Sequence, residues 1–285
     1  MDPNHLFSSR KNYPVIAIAT IVTLGIFISY YLSGMFIYEF VYFSSGTVTT
    51  EMVLGGISQL FFMFFLLLII TRNFPVNFVE LYSIRKPKIL HLLLSIMIIV
   101  GLQLIGVSTI VVQEALIPQK YLSDYYDIVI YWDKVYDRLL SAPYLVAVIV
   151  GAAIPALSEE FLLRGFFQNS LLQRLNYKWA IFISGTVFAV LHANLVDLIA
   201  LSLFGYYVGA LVYYTKSIYP AIIVHFLFNL TSITTSYFNE LSWVFTPIDD
   251  LNFKESLAIF IIGNALCIVP LILIRKSKNQ TPAED

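Results

Sequence analysis

The sequence predicts an all-α membrane protein, with about eight transmembrane helices around a polar cavity inside the bilayer. Of the 285 residues, 59% are hydrophobic and only 12% are charged, whereas soluble domains carry about 25% charged residues. A soluble fold of this size would lack the polar groups to cover its surface. Ionisable residues nevertheless interrupt the central apolar runs, at a cost of about 2.5–3.5 kcal/mol each at membrane depth. We therefore expect them to face a cavity and to have a function.

Eight apolar segments are candidate spans, since a transmembrane helix needs about 20 mostly apolar residues. They cover residues 14–36, 52–70, 89–111, 144–166, 178–194, 196–215, 218–236 and 257–274. The fifth segment is short, and tight turns join the fifth, sixth and seventh. The first apolar run follows Arg10 and Lys11 but is too long for a signal peptide, so we expect it to be retained as a span.

These spans divide the chain into three regions. Residues 1–143 form an N-terminal transmembrane region with three helices and two interfacial segments, residues 144–236 form the core that carries the polar residues, and residues 237–285 hold an external loop, the last span and a cytoplasmic tail. The interfacial segments are 73–88, which suits the inner membrane surface, and 120–138, whose alternating aromatic and acidic side chains suit the outer interface.

The distribution of lysine and arginine predicts that both termini are cytoplasmic. With the N-terminus inside, twelve of these residues fall on the cytoplasmic side, four fall outside and Arg164 lies within a span. In a bacterium the host membrane would be the plasma (inner) membrane. A net charge of −1 argues against a nucleic-acid partner. The single cysteine, Cys267, excludes an intramolecular disulfide and the usual thiolate zinc sites.

Two adjacent carboxylates and an arginine lie in the fourth span. On a helix Glu160 and Arg164 are four residues apart and can pair on one face, whereas Glu159 is rotated by about 100°. The Glu160–Arg164 pair is as compatible with helix packing as with chemistry. Glu159 has no evident partner on its own helix, which favours a function for it. Pro155 lacks a backbone donor and is expected to bend the helix just before this site.

Two later spans supply further polar side chains. His192 ends the fifth span, where Phe188 can pack against its ring; taken alone, this histidine suits an interfacial or capping position equally well. His225 and Asn229 project from one face of the seventh span, as an oxyanion site requires or as an interhelical hydrogen-bond pair would. Hydrolysis needs a base, a group that orients water and donors for the developing negative charge. Glu159 with His192, and His225 with Asn229, would fill these roles.

Together these residues resemble the CPBP (Abi) family, which includes the type II CAAX prenyl proteases and bacteriocin-processing or self-immunity proteins. The motifs are Glu-Glu-x-x-x-Arg from Glu159, Phe-x-x-x-His ending at His192, and His-x-x-x-Asn from His225 to Asn229. The resemblance covers roughly residues 144–236. All three motifs are complete, which favours an active enzyme over a degenerate relative.

The resemblance implies an intramembrane endopeptidase that acts on a membrane-associated or lipidated peptide, either a CAAX-type peptide or a bacteriocin or signalling-peptide precursor. The roles that it implies are Glu159 as the base, His192 on the same water, His225 and Asn229 as the oxyanion site, and Glu160 and Arg164 as support. It also implies that no metal is obligatory. The chain has no His-Glu-x-x-His pair, although His192, His225 and Glu159 could form a three-ligand zinc site.

Two other functions stay open. One is a non-enzymatic immunity or scaffold protein of the same family, whose phenotype would survive the change Glu159→Gln. The other is a proton-coupled transporter, since intramembrane Glu and His also build proton relays; the lack of a repeated pair of interrupted helices disfavours it.

The predicted orientation leaves one geometric difficulty. Glu159 and His225 should lie near mid-membrane or toward the cytoplasm, but His192 ends an outward-running helix about 20 Å beyond Lys178. Either the fifth helix begins below the inner boundary or the site lies nearer the outer leaflet.

Overall fold

The structure is a computed structural model that describes residues 15–73, 77–238, 241 and 251–278, with side chains from residue 17 to residue 277 in those ranges. These residues form helices and connecting turns, and no strand occurs among them. The helices are α1 (Val15–Phe43), α2 (Val48–Asn73), α3 (Phe78–Leu81), α4 (Ile89–Leu116), α5 (Leu122–Leu140), α6 (Tyr144–Leu171), α7 (Tyr177–Leu191), α8 (Leu198–Thr215), α9 (Tyr219–Tyr237) and α10 (Phe253–Lys278). Arg10, Lys11 and most of the predicted external loop lie outside the described residues.

The chain is a polytopic, integral membrane protein. Within the described residues, six helices are long and apolar enough to cross a membrane: α1, α2, α4, α6, α8 and α10. Each of the eight predicted spans coincides with a helix. However, α7 has only 15 residues, and α9, with 19 residues, is not among the six. The all-α membrane fold is thus confirmed, and the count of eight spans is not.

Helix α6 occupies the centre of the bundle, in contact with α1, α2, α7, α8 and α9. The last helix, α10, packs along α4, and α7 packs along α8. Helices α7 and α8 approach very closely, since a Cβ added to Gly205 would lie 2.6 Å from the Cα of Gly185. Small residues of this kind let membrane helices pack backbone to backbone. This contact fixes the end of α7 relative to the helices around the centre.

Helix α6 is irregular on both sides of Pro155. Wider π-helical turns occupy Ile149–Ala153 and Glu160–Gln168. Such turns are rare and occur frequently at functional sites. Pro155 has no N–H to give to the carbonyl four residues earlier, that of Gly151. The winding of α6 is thus altered on both sides of Pro155, while the bend expected from Pro155 stays a prediction.

The short α7 accounts for the position of His192. A helix of 15 residues is about 22 Å long, less than the roughly 30 Å of a hydrocarbon core. Its C-terminal end therefore meets the longer α6 near the middle of α6, where Glu159 lies. The difficulty of placing His192 beside Glu159 came from treating the fifth segment as a complete span.

The two predicted interfacial segments differ in the structure. In the first, Phe74 lies outside the described residues, while Leu81 and Tyr82 are fully buried, and the ring of Tyr82 lies 5.4 Å from that of Phe161. This part of the segment packs against α6, because the four-residue α3 turns the chain inward. In the second, α5 exposes Tyr126 and Tyr131, as an interfacial helix would.

Candidate active site

The four side chains that the sequence predicts to be catalytic line one cavity of about 540 Å³. They are Glu159 of α6, His192 at the end of α7, and His225 and Asn229 of α9. Helices α4, α5 and α8 and the turn between α7 and α8 complete the walls. Residues from distant parts of the sequence therefore share one partly polar space.

Glu159 and His192 face each other across this cavity. The Oε2 atom of Glu159 lies 3.7 Å from Nε2 of His192, too long for a direct hydrogen bond. Nδ1 of His192 lies 2.7 Å from the carbonyl oxygen of Phe188, and a carbonyl can only accept, so Nδ1 carries the proton. In the neutral ring Nε2 is consequently an acceptor. Oε2 of Glu159 is a buried atom that receives no hydrogen bond from the described residues, so two acceptors face each other without a donor between them.

The Phe188 ring restrains that histidine, as the sequence predicted. The centroids of the Phe188 and His192 rings are 4.5 Å apart, and the side chain of Phe188 is buried. Together with the Nδ1 hydrogen bond, this contact fixes both the tautomer and the orientation of the imidazole.

Glu160 is the centre of a second, fully buried group. Its Oε1 atom accepts from Nη1 of Arg164 at 2.9 Å and from Nδ1 of His225 at 2.8 Å. The side chains of Glu160 and Arg164 have no exposed surface, and that of His225 is 3% exposed. The predicted Glu160–Arg164 pair is confirmed. The contact with His225 was not predicted, and it fixes the ring so that Nδ1 faces Glu160.

Two phenylalanines enclose this buried group. The guanidinium carbon of Arg164 lies 4.5 Å from the ring centroid of Phe188 and 6.0 Å from that of Phe204. The Phe204 ring also meets the His225 ring edge to face, with centroids 4.9 Å apart. Cations are attracted to aromatic faces, more strongly when water is excluded. These rings hold the arginine and the histidine in place.

Asn229 uses the carbonyl that Pro155 leaves without its usual helical donor. Its Nδ2 atom donates to the carbonyl oxygen of Gly151 at 3.3 Å, and this bond ties α9 to α6. An amide nitrogen carries two protons, so one remains for another acceptor. The Asn229 side chain lines the cavity.

Several polar residues beside the cavity were missed by the sequence analysis. Gln103 and Gln113 of α4 donate to the carbonyl oxygens of Phe228 at 2.9 Å and Val196 at 2.6 Å. Both are isolated amides in an apolar run, a signal as strong as that of Asn229. They tie α4 to α9 and to the turn between α7 and α8.

The turn after α7 adds a second carboxylate to the cavity. Asn194 donates from Nδ2 to Oδ2 of Asp197 at 2.7 Å, and both residues line the cavity. Their Asn-x-x-Asp spacing, directly before an apolar helix, is the signal that could have revealed them. Trp132 and Tyr136 of α5 also line the cavity.

No three His, Cys, Asp or Glu side chains among the described residues come together as a metal site would require. Of the three potential zinc ligands, His225 already gives Nδ1 to Glu160, while Glu159 and His192 face each other. That no metal is obligatory for catalysis stays a prediction.

Residues 141–231 match the model described as "Type II CAAX prenyl endopeptidase Rce1-like". The matched segment contains the four predicted catalytic residues, together with Glu160 and Arg164. Comparison with curated proteins and with solved structures finds no match.

Proposed function

Because residues 141–231 belong to the CPBP/CAAX protease-like family, a family of peptidases, we propose that this membrane protein is an intramembrane endopeptidase. It hydrolyses a peptide bond in a membrane-associated or lipidated peptide, of the CAAX type or of a bacteriocin or signalling-peptide precursor. The observation that carries this proposal is the 3.7 Å approach of Glu159 Oε2 to His192 Nε2. It occurs in the cavity that also receives His225 and Asn229.

Glu159 acts on a water molecule held beside it and His192. Both facing atoms accept, so the water donates one proton toward each of them. In the reaction the water O–H bond breaks, its proton passes to Glu159, and the oxygen forms a bond to the carbonyl carbon. When the C–N bond then breaks, Glu159 returns the proton to the departing nitrogen, as a base that becomes an acid does.

His225 and Asn229 stabilise the negative charge that develops on the carbonyl oxygen. With Nδ1 held by Glu160, Nε2 is the ring nitrogen of His225 that is left to donate toward the carbonyl oxygen, which it can do when both ring nitrogens carry protons. Positioned donors in a site that excludes water are worth more than the same donors in water.

The location of the cavity suits a substrate that partitions into the bilayer. Its walls include apolar side chains of α4 and α8 as well as the polar residues. Three of the helices that line it, α4, α6 and α8, are long and apolar enough to cross a membrane. The charge distribution predicts that both termini are cytoplasmic. In a bacterium, the protein would act in the plasma membrane. The bilayer and a peptide substrate are its partners.

Mass spectrometry of membrane peptides tests this function. Cells that produce the wild type are compared with cells that produce Glu159→Gln at equal levels. We expect at least one pair of complementary cleavage fragments with the wild type and only the intact precursor with the variant. Identical peptide profiles, with an unchanged cellular phenotype, would instead favour an immunity or scaffold protein.

Asn229→Ala should lower kcat by about 10²–10³-fold, because removing one oxyanion donor costs about 2.7–4 kcal/mol, and should leave measurable activity. The readout is cleavage of a farnesylated CAAX-type peptide, or of the precursor found by mass spectrometry, in proteoliposomes. Ser232→Ala is the matched control, since Ser232 lines the same cavity but donates to Phe228 of its own helix at 3.1 Å. Equal losses in both variants would remove Asn229 from the oxyanion site.

Chelation should leave the activity unchanged, since the proposed base is a carboxylate that acts on water. Purified protein is treated with a strong chelator, assayed for cleavage and analysed for bound metal. Loss of activity that stoichiometric zinc restores would show that the zinc arrangement of His192, His225 and Glu159 is correct.

A further inference from the structure

We infer that Gln59 of α2 is a positioning residue for the Glu159 carboxylate, an inference that rests on the proposed role of Glu159 as the base. Gln59 lies outside the segment that matches the family model. Its Nε2 atom donates to Oγ of Ser158 at 2.8 Å and to Oε1 of Glu159 at 3.4 Å. A neutral amide from another helix therefore holds one oxygen of the base.

The hydrogen bonds around Gln59 determine which end of its amide faces α6. The Ser158 hydroxyl gives its proton to the carbonyl oxygen of Ile154 at 2.8 Å, so it can only accept from Gln59. A carboxylate likewise only accepts. Both neighbours thus require the NH₂ group, and the two protons of that group match the two acceptors. The amide orientation follows from the network.

The hydrogen bond from Gln59 gives the two oxygens of the Glu159 carboxylate different roles. Oε1 is turned toward α2, while Oε2 is turned toward His192. On the α2 side, a small cavity of about 30 Å³ borders Glu159, and the polar residues lining it are Tyr30, Gln59, Ser158 and Glu159. Without the amide of Gln59, the carboxylate is free to rotate and Oε2 loses its position beside His192.

The test compares Gln59→Met with Ser58→Ala in the full-length protein, in the proteoliposome assay with the farnesylated CAAX-type peptide or the precursor identified by mass spectrometry. Methionine has a similar length but no donor. Ser58 is the neighbouring residue on α2, and its hydroxyl bonds to a different helix, with its Oγ 2.5 Å from Oγ of Ser33 on α1. Both variants remove interhelical polar contacts of α2, two in Gln59→Met and one in Ser58→Ala.

We expect Gln59→Met to lower kcat by roughly ten- to a hundredfold, the order of loss that follows from misplacing a reacting group, with KM and accumulation unchanged. Ser58→Ala should retain the wild-type kcat. A wild-type kcat in Gln59→Met, equal losses in the two variants, or a loss explained by lower accumulation would overturn the inference while leaving the proposed function intact.

If the wild type itself fails to cleave, the proposed function fails, and a crystal structure of Gln59→Met still decides the positioning claim. The expected result is that Glu159 Oε2 moves out of contact with His192 Nε2. A carboxylate that keeps its place beside His192 without the amide would contradict it.

Discussion

Glu159→Gln should lower kcat/KM by about 10³–10⁴-fold, the upper part of the range for a general base, which corresponds to about 4–5.5 kcal/mol of transition-state stabilisation. Glutamine keeps the length and shape of the side chain but cannot take a proton from water. Protein accumulation should stay at the wild-type level, because Glu160, and not Glu159, pairs with the buried arginine.

The matched control is Glu255→Gln. Glu255 is exposed at the start of α10, where its carboxylate accepts from the backbone N–H of Asn252 at 3.0 Å. This change removes one negative charge without touching the cavity, so the rate should not change. Wild-type turnover by purified Glu159→Gln would remove Glu159 from the chemistry and the hydrolytic mechanism with it.

Arg164→Ala should destabilise the fold by about 3–5 kcal/mol, since removing one partner of a buried ion pair leaves an uncompensated charge. The guanidinium has no exposed surface and also lies over Phe188. His225 remains as a partner for Glu160, so we expect the cost at the lower end of that range. Thermal unfolding in detergent and accumulation in membranes both measure it.

The chain offers its own control for this prediction in a second ion pair, Arg138 with Glu51. The Arg138 side chain is 40% exposed, and exposed pairs contribute only about 0.2–1 kcal/mol. Arg138→Ala should therefore change the unfolding temperature little. The double variant Arg164→Ala with Glu160→Gln should recover part of the lost stability. Equal stability of Arg164→Ala and Arg138→Ala would mean that the buried pair is not a structural requirement.

The positions of the helices follow from hydropathy alone, because an apolar run of about 20 residues has few alternatives to a helix in a membrane. Residues 89–111 and 257–274 lie within α4 and α10 as predicted. The number of spans did not follow. The 15 residues of α7 are apolar but do not have the length to cross a bilayer, and hydropathy does not show where such a short helix lies within the bundle.

Part of the site could also be predicted from the sequence. Spacing along one helix predicts the Glu160–Arg164 pair and the Phe188–His192 contact, because both are set by helix geometry. Contacts between helices were not readable in this way. The bond from His225 to Glu160 joins residues 65 positions apart, and the amide of Gln59 reaches Glu159 from a helix one hundred residues earlier. Such contacts depend on how the helices pack.

A high-resolution experimental structure of the purified protein tests the central claim most directly, because that claim concerns one water molecule between two side chains. We expect a water molecule within hydrogen-bond distance of both Glu159 Oε2 and His192 Nε2, inside the cavity that His225 and Asn229 line. Side chains of Glu159 and His192 turned away from each other, toward lipid or unrelated neighbours, would contradict the proposed hydrolase.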